Sequence, residues 1–357
     1  MAHLQHGTVP SQYTAYLKHK RLFLLVCTLL CLVLLLAALG LGPAKIPPID
    51  IIQALLGTGD SPRNHAIVWN MRLPHALAAV IAGAGLAAAG AAMQSILRNP
   101  LGSPFTLGIS QAGAFGAALV VMTLGAVGAS GQALSFLNLS QSLVTTLSAF
   151  SFCLVASLVI VALARLRGAT PEVMVLAGVA LGALFSAGTM FLQYFADDVQ
   201  LAAIVFWTFG DVGRAGWSEV GIMGAVVSVG TLYFVWNRWQ YNAIDAGDET
   251  ARGLGVRVGQ LRIVGMLVCS AITAVIVSFL GIIGFVGLIS PHIVRRFIGD
   301  DHRFLMPASC LVGAALLLAA DIVARLIMAP HVIPVSVLTA FIGAPAFIYL
   351  LIRRQRR

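Results

Sequence analysis

Long apolar runs alternate with short polar segments along the whole chain. The first run, residues 22–41, contains no charged side chain. Twenty residues of α-helix rise about 30 Å, the thickness of the hydrocarbon core of a bilayer. The pattern predicts ten membrane-spanning helices, at residues 22–41, 73–97, 106–125, 141–164, 172–194, 216–237, 262–281, 284–297, 305–325 and 333–352. The eighth is short and contains Pro291, so we expect it to be broken there and partly re-entrant.

Composition indicates the same class of protein. Hydrophobic residues make up 59% of the 357 residues and charged residues only 10%, whereas a soluble domain has about 25% charged residues. We therefore expect an all-α integral membrane protein with one domain over residues 1–357. A signal peptide also begins with basic residues, but its apolar core is only about 7–15 residues long. The longer first run predicts a helix that is retained.

Basic residues are distributed unequally between the two sides that ten alternating helices define. With the N-terminus in the cytoplasm, seventeen of the twenty-two Lys and Arg residues lie on the cytoplasmic side, as the positive-inside rule requires. This bias explains the net charge of +9 without a nucleic-acid partner. It predicts cytoplasmic termini, a cytoplasmic tail over residues 1–21, an external segment with a short surface helix over 195–215, and a cytoplasmic loop over 238–261.

Few side chains within the spans carry chemistry. Asp321 and Arg325 lie four residues apart at the outer end of a helix and can pair. No span has a carboxylate near its centre, which an ion-coupled carrier would need. The sequence also lacks GxxxxGK[ST], HExxH and CxxC motifs. We therefore predict no cofactor, no metal site, no disulfide and no catalytic residues, so the energy for active transport must come from another subunit.

Two alternatives from other classes stay open at this point. A secondary carrier or channel could work alone, although the missing mid-membrane carboxylate disfavours a carrier. A membrane enzyme is disfavoured because no acid–base or metal cluster is visible. Small residues at 82–85 and 87–90 give one predicted helix a nearly smooth face, which favours close helix packing.

Nine short strings occur in order over residues 20–352. They are RLP at 72–74, GAAMQ at 90–94, RNPLGSP at 98–104, LGIS at 107–110, LAGVALG at 176–182, RGLGV at 252–256, GFVGLISPH at 284–292, DIVAR at 321–325 and GAP at 343–345. Together they resemble the FecCD-type permease family. Each string alone is weak evidence, whereas the ordered set is specific. These permeases are the membrane subunits of ABC importers for iron–siderophore complexes, haem and cobalamin.

The resemblance implies a type II ABC importer permease fold with ten helices, in which helices two to five and seven to ten form inverted halves. It implies a homodimer, two ABC ATPase subunits and a periplasmic substrate-binding protein, in the bacterial cytoplasmic (inner) membrane. The string at 103–110 is more similar to permeases for iron complexes, so we expect an iron(III)–siderophore or related cargo. Cobalamin or haem import by the same mechanism stays the alternative.

Site residues are carried over from the matching motifs. Arg72 and Arg325 match the family's arginines that dock the binding protein, while His75 replaces a further arginine and predicts pH-sensitive docking. The loop over 238–261 matches the coupling helices that seat on the ATPase. Its contact candidates are Arg252, Gly253, Leu254 and Gly255. The translocation pathway and gate candidates are Thr170, Ser186, Met190, Gln193 and Thr339.

Overall fold

A computed structural model describes residues 11–42, 44, 46–58, 61–125, 140–329 and 331–354. The described chain is helical apart from its connecting segments and one isolated β-bridge. The helices are α1 (Ser11–Gly40), α2 (Pro48–Leu56), α3 (Pro62–Ile67), α4 (Leu73–Ile96), α5 (Ile109–Gly125), α6 (Gln141–Leu166), α7 (Pro171–Phe195), α8 (Asp198–Thr208), α9 (Trp217–Trp236), α10 (Arg238–Asp245), α11 (Asp248–Gly253), α12 (Val258–Leu280), α13 (Val286–Ile298), α14 (His302–Leu326) and α15 (Val335–Arg354).

Each of the ten predicted spans coincides with one of these helices, which are α1, α4, α5, α6, α7, α9, α12, α13, α14 and α15. Within the described ranges, seven candidate spans are long and apolar enough to cross a bilayer, and α5 and α15 are shorter apolar helices. The thirteen residues of α13 rise only about 20 Å. The predicted all-α membrane fold is confirmed.

The helix ends differ from the hydropathy prediction in two places. Helix α1 begins at Ser11, so the second half of the predicted tail over 1–21 is helical, and residues 1–10 lie outside the described part of the chain. A π-helix over Val68–Arg72 joins α3 to α4. The helical path into the second span therefore begins at Pro62, well before its apolar run.

Helix α4 forms the centre of the bundle because its small residues allow backbones to approach closely. A Cβ atom added to Gly90 would lie 1.8 Å from the carbonyl oxygen of Gly287 in α13. A Cβ atom at Gly83 would lie 2.3 Å from the carbonyl oxygen of Gly313 in α14. The close packing predicted for this face is confirmed.

The predicted break at Pro291 is wrong, because α13 continues through it from Val286 to Ile298. Proline lacks the N–H that would bond to the carbonyl of Gly287, four residues earlier. That oxygen instead lies against Gly90 of α4. The helix is short because it begins after Phe285, whose φ of 65° is left-handed.

The two halves of the chain repeat one arrangement. A residue with left-handed φ directly precedes the short second helix in each half: Gly108 before α5 and Phe285 before α13. A Cβ atom at Gly108 would lie 2.5 Å from the Cα of Gly182 in α7, and one at Gly343 in α15 would lie 2.5 Å from the Cβ of Phe285. In each half, therefore, the turn before the second helix packs against a glycine of the last helix.

The bundle has two ends, which we call outer and inner after the predicted orientation. At the outer end the C-terminus of α1 lies against the end of the π-helix that leads into α4 and against the last turn of α14. There the backbone N–H of Asp211 also donates to the carbonyl of Leu280 at 2.8 Å. The inner end contains the segment over residues 238–261, which we call the coupling loop after its predicted role, together with the last turn of α4 and the first turn of α14.

Candidate functional site

The coupling loop, residues 238–261, forms two short helices and the first turn of α12 at the inner end. Helix α10 ends at Asp245 and α11 begins at Asp248, and Gly247 between them has φ of 116°. Gly255 follows α11 with φ of 82°. Left-handed backbone of this kind is readily adopted by glycine but strained for other residues. Glycines therefore define both ends of α11.

The residues predicted to contact the ATPase form an exposed tip of this loop. Arg252, Gly253, Leu254 and Gly255 are all exposed, and the Leu254 side chain is 70% exposed. Ala251 on the other face of α11 is fully buried. The structure thus brings the four candidates together on one exposed surface, where Leu254 and Gly255 line a cleft beside α9 and α12.

Asp248, the first residue of α11, is held by an arginine of the bundle. Both terminal nitrogens of Arg262 donate to the Asp248 carboxylate, at 2.7 and 2.8 Å, and Arg262 Nε donates to the carbonyl of Ile96 at 3.1 Å. Arg262 is only 3% exposed. Arg98 approaches the same carboxylate more loosely, at 3.8 Å. One buried guanidinium therefore joins α11, α12 and α4.

Asp245, the last residue of α10, meets a buried histidine and a serine. His302 Nε2 lies 2.9 Å from Asp245 Oδ2, and Ser95 Oγ donates to the same oxygen at 3.2 Å. Ser95 Oγ also lies 3.1 Å from His302 Nε2. In a catalytic triad the serine and the carboxylate bind opposite ring nitrogens, whereas here both contact Nε2. The cluster is a junction between α10, α14 and α4, not a nucleophile with its base.

Asp301, which precedes α14, extends this junction. Its carboxylate accepts hydrogen bonds from Asn242 at 3.1 Å and from the backbone and side chain of Arg303. Burial raises the pKa of Asp301, but the hydrogen bonds from Arg303 and Asn242 outweigh it and lower the pKa to about 2. Because Asn242 also accepts a hydrogen bond from the backbone of His302, it ties α10 to the start of α14.

At the outer end, Arg72 and Arg325 surround the C-terminus of α1. Arg72 donates to the carbonyls of Leu39 at 2.6 Å, Gly40 at 3.1 Å and Ala44. Arg325 donates to the carbonyl of Ala38 at 3.1 Å. The last carbonyls of a helix lack intrahelical partners and carry partial negative charge. Two guanidiniums therefore cap α1, one from the end of the π-helix before α4 and one from α14.

The predicted pair between Asp321 and Arg325 is confirmed, with Arg325 Nη2 and Asp321 Oδ2 2.5 Å apart. The structure also brings Arg72 and Arg325 together, but it buries them, with exposures of 5% and 8%. His75, one turn into α4, is half-buried. The docking role predicted for these three residues stays a prediction.

The predicted pathway residues have different surroundings. On α7, Met190 is exposed, Ser186 and Gln193 are half-buried, and Thr170 precedes the first turn. Thr339 of α15 is buried, and its hydroxyl donates to the carbonyl of Ser336 in the same helix at 3.0 Å. The structure therefore exposes the α7 candidates to different extents and turns Thr339 into its own helix.

A family model decides how this architecture is classified. The model of the FecCD transport family matches residues 30–353, which is most of the chain. The chain belongs to the FecCD transport family. The family predicted from the motifs is thereby confirmed.

Known relatives align with this chain over nearly their whole lengths. A protein of Methanocaldococcus jannaschii, provisionally named an ABC transporter permease, is 51% identical over 98% of this chain and 99% of its own length. The iron(III)-citrate import system permease of Bacillus subtilis is 35% identical over 94% of this chain and 96% of its own. Further relatives are named as permeases for haemin, iron(III)-hydroxamate and vitamin B12.

A solved structure supports the fold. It is an inward-facing transporter provisionally assigned to the metal-chelate type of ABC transporter, and it matches with a TM-score of 0.77 and 29% identity, over 93% of this chain and 99% of its own. This FecCD chain is therefore a multi-pass membrane permease subunit of an ABC importer with the type II fold. That role is consistent with a non-catalytic subunit.

Sequence reasoning missed the residues that hold the coupling loop. Arg262 was counted among the cytoplasmic basic residues, but it lies buried in the first turns of α12. Ser95 and His302 gave no signal, because a single serine or histidine at a helix end is common. The spacing of Asp245 and Asp248 on either side of Gly247 was the one local sign that could have indicated paired anchors.

Proposed function

We propose that this permease imports an iron(III)–siderophore or related iron complex across the cytoplasmic membrane, with both termini in the cytoplasm. Two separate ATPase subunits supply the energy, and a substrate-binding protein delivers the cargo at the outer end. The exposed tip at residues 252–255 carries the proposal, since Leu254 is apolar, accessible and mounted on a loop tied to the bundle. A short helix such as α11, held rigidly and exposed at its end, is suited to bind in a cleft of an ATPase.

A second copy of the permease completes the pathway in this proposal. Helix α7 exposes Leu184, Phe191 and Tyr194 along its length, and α15 exposes Phe341. Apolar side chains on these two helices can face a partner across a central pathway, which Ser186, Met190 and Gln193 would line. Thr339 would reach the pathway only after α15 moves, because its side chain is buried in this structure. Thr170 stands at the entrance to α7, the predicted gate.

Docking of the binding protein is proposed at Arg72, His75 and Arg325. Each arginine already has several acceptors at the end of α1, so acidic groups on the binding protein must add to or replace these carbonyls. Docking would then depend on the position of α1. Both arginines are buried in this structure, so the binding protein would reach them only after they are uncovered. Once exposed, an ion pair contributes only about 0–1 kcal/mol, and the arginines would act mainly on orientation and rate of encounter.

The cargo is the finer part of the proposal. The 103–110 string favours an iron complex, and the name of the Bacillus subtilis relative agrees with this. Haem and cobalamin stay the alternatives, since relatives of similar identity are named for both. Side chains of α7 present few groups that could select a chelate, so the binding protein would determine specificity.

Reconstitution in proteoliposomes tests the proposal. The permease is inserted alone or with its ATPase, and uptake of radioactive iron–siderophore, haem or cobalamin is measured with and without binding protein and ATP. We expect uptake of the iron complex only with all components present. Uptake by the permease alone would contradict the proposal and support a stand-alone carrier or channel.

The role of the tip is tested with Leu254→Asp and Arg252→Glu. Both changes should abolish co-purification of the ATPase, because they place charge or reversed charge on the proposed contact. Arg165→Glu is the matched control, since Arg165 is an exposed arginine at the inner end of α6. If Leu254→Asp and the control retained the ATPase equally, the tip would not be the contact.

A further inference from the structure

We infer that Asp245 and Asp248 are the positioning residues through which movement of the coupling loop reaches the bundle. Their bonding partners in the bundle are His302 for Asp245 and Arg262 for Asp248. This inference rests on the proposed function, because it needs an ATPase that moves the loop. It assigns a role to four side chains that the motif comparison left without one.

The side chains of the tip make little contact with the bundle. A Cβ atom at Gly253 or Gly255 would meet nothing within 4 Å, and Leu254 is largely exposed. Movement of the tip can reach α12 along the backbone, since Gly255 lies only three residues before Val258, and it can also reach the bundle through the body of α11. The carboxylate of α11 that bonds to the bundle is that of Asp248, at the start of the helix.

The contact between Asp248 and Arg262 is suited to pass a displacement of α11 to the bundle and to preserve the direction of that displacement. Both carboxylate oxygens are engaged by two nitrogens of one guanidinium, and this fork fixes the relative orientation of the two groups. The third nitrogen, Nε, is bonded to the carbonyl of Ile96 in α4. A displacement of α11 therefore moves α12 and the end of α4 together.

The contact at Asp245 transmits to another helix. Its carboxylate meets His302 in the first turn of α14 and Ser95 in the last turn of α4. His302 is fully buried, and its ring lies against that of Tyr241 in α10, with centroids 5.5 Å apart. A displacement of α10 is therefore passed to α14 and α4. Gly247 between the two carboxylates allows the two short helices to turn relative to each other.

Both contacts converge on neighbouring residues of α4, Ser95 and Ile96. Helix α4 is packed backbone to backbone against α14 at Gly83 and against α13 at Gly90. Such close contacts leave no soft side chains to absorb a shift. The two carboxylates thus act on one rigid unit, and the loop moves this unit rather than a single helix.

Variants that keep size but weaken the contacts test this inference. We would prepare Asp248→Asn, Arg262→Lys and Asp245→Asn in the complete transporter, with Arg98→Gln as the matched control. Arg98 contacts the same carboxylate but is half-exposed and lies 3.8 Å away. Arg262→Lys is the conservative variant, because it keeps the charge and loses the fork.

Three quantities would be measured: co-purification of the ATPase, ATP hydrolysis stimulated by loaded binding protein, and cargo transported per ATP hydrolysed. For Asp248→Asn and Arg262→Lys we expect intact assembly and hydrolysis. Transport per ATP should fall about tenfold, which is within the usual range of coupling between two sites. Asp245→Asn should act in the same direction. Arg98→Gln should change the ratio less than about twofold.

Two outcomes would overturn the inference. Unchanged transport per ATP in the Asp245→Asn, Asp248→Asn double variant would show that movement enters the bundle elsewhere. A fall in transport that only follows loss of the ATPase would show that the carboxylates merely hold the contact surface. If the wild-type assembly itself hydrolysed no ATP in response to loaded binding protein, the proposed function would fail first, so the two failures can be told apart.

Discussion

Buried arginines occur at both ends of the bundle, but they bind different acceptors. At the outer end, Arg72 and Arg325 donate to backbone carbonyls of α1. At the inner end, Arg262 donates both terminal nitrogens to the carboxylate of Asp248, in a loop between spans. Arg325 also pairs with the carboxylate of Asp321 in its own helix, and Arg262 also donates to the carbonyl of Ile96 at the end of α4. The difference is that only the inner arginine binds a carboxylate of a segment between spans.

This difference indicates which end is built to move. The carbonyls at a helix end are fixed to the helix axis, so Arg72 and Arg325 hold the whole of α1 in place. A side-chain carboxylate beside Gly247 can travel with its own short helix while keeping its partner. We therefore interpret the outer contacts as a fixed clamp and the inner contacts as a jointed link. Three sets of substitutions test the comparison.

The largest loss of stability is expected for Arg325→Met. Removing this guanidinium leaves the buried Asp321 carboxylate without its partner, and breaking a buried pair from one side costs about 3–5 kcal/mol. Arg72→Met removes three hydrogen bonds to carbonyls but strands no charge, so we expect a loss of about 1–3 kcal/mol. Denaturant titration of the purified protein in detergent measures both changes in the free energy of unfolding.

The double variant Arg325→Met, Asp321→Leu is the control for the stranded charge. It should recover part of the lost stability, because no buried charge stays unpaired. Equal losses for Arg72→Met and Arg325→Met, with no recovery in the double variant, would show that capping of α1 alone determines the effect.

The bundle itself could be predicted because each membrane span is recognisable from its own stretch of sequence. An uninterrupted apolar run such as 22–41 is visible without knowing any contact. Helix α2, with nine residues, and α3, with six, are too short to stand out in such a reading. The left-handed start of α13 at Phe285 was equally hidden, since it depends on Gly343 offering space 58 positions later in the chain.

The site was predictable only where motif and exposure coincide. The 252–255 tip is polar, rich in glycine and matched by the family, and it is exposed. Burial of Arg72 and Arg325 could not be predicted, because their acceptors lie in α1, 284 or more positions away in the case of Arg325. The residues that anchor the coupling loop could not be predicted for the same reason, since Ser95 and His302 contact Asp245 only in the folded bundle.

An intermediate loss of stability is expected at the inner end for Arg262→Met. It leaves Asp248 without its two closest donors, but that carboxylate is partly exposed and water can reach it. We expect a loss of about 2 kcal/mol in the same titration. Arg98→Met, at the looser contact, should stay within about 0.5 kcal/mol of the wild type. A loss at Arg262 as large as that at Arg325 would contradict the view that the inner contacts are a joint rather than a clamp.

The smallest effect concerns acid stability at the inner end, and it depends on Asp301. Its pKa is lowered from 3.8 to about 2 in the folded protein. A carboxyl with a lowered pKa contributes stability above its unfolded value, and this contribution is lost as the pH falls from about 4 towards 2. Asp301→Asn should therefore flatten that part of the pH profile of unfolding while costing about 1 kcal/mol at pH 7. The lowered pKa corresponds to about 2 kcal/mol, and solvent screening at this partly exposed carboxylate reduces that value.

Arg303→Gln provides a second route to the same result. Arg303 supplies the hydrogen bonds that contribute most to lowering the pKa of Asp301, so its removal should flatten the same acid limb with the carboxylate still present. Thermal unfolding midpoints at half-unit pH steps between 2 and 5 would resolve the change. Acid limbs that stayed parallel in wild type and both variants would show that Asp301 does not stabilise the junction of α10 and α14 through its charge. The inner end would then depend on Asp245 and Asp248 alone, which would sharpen its contrast with the outer clamp.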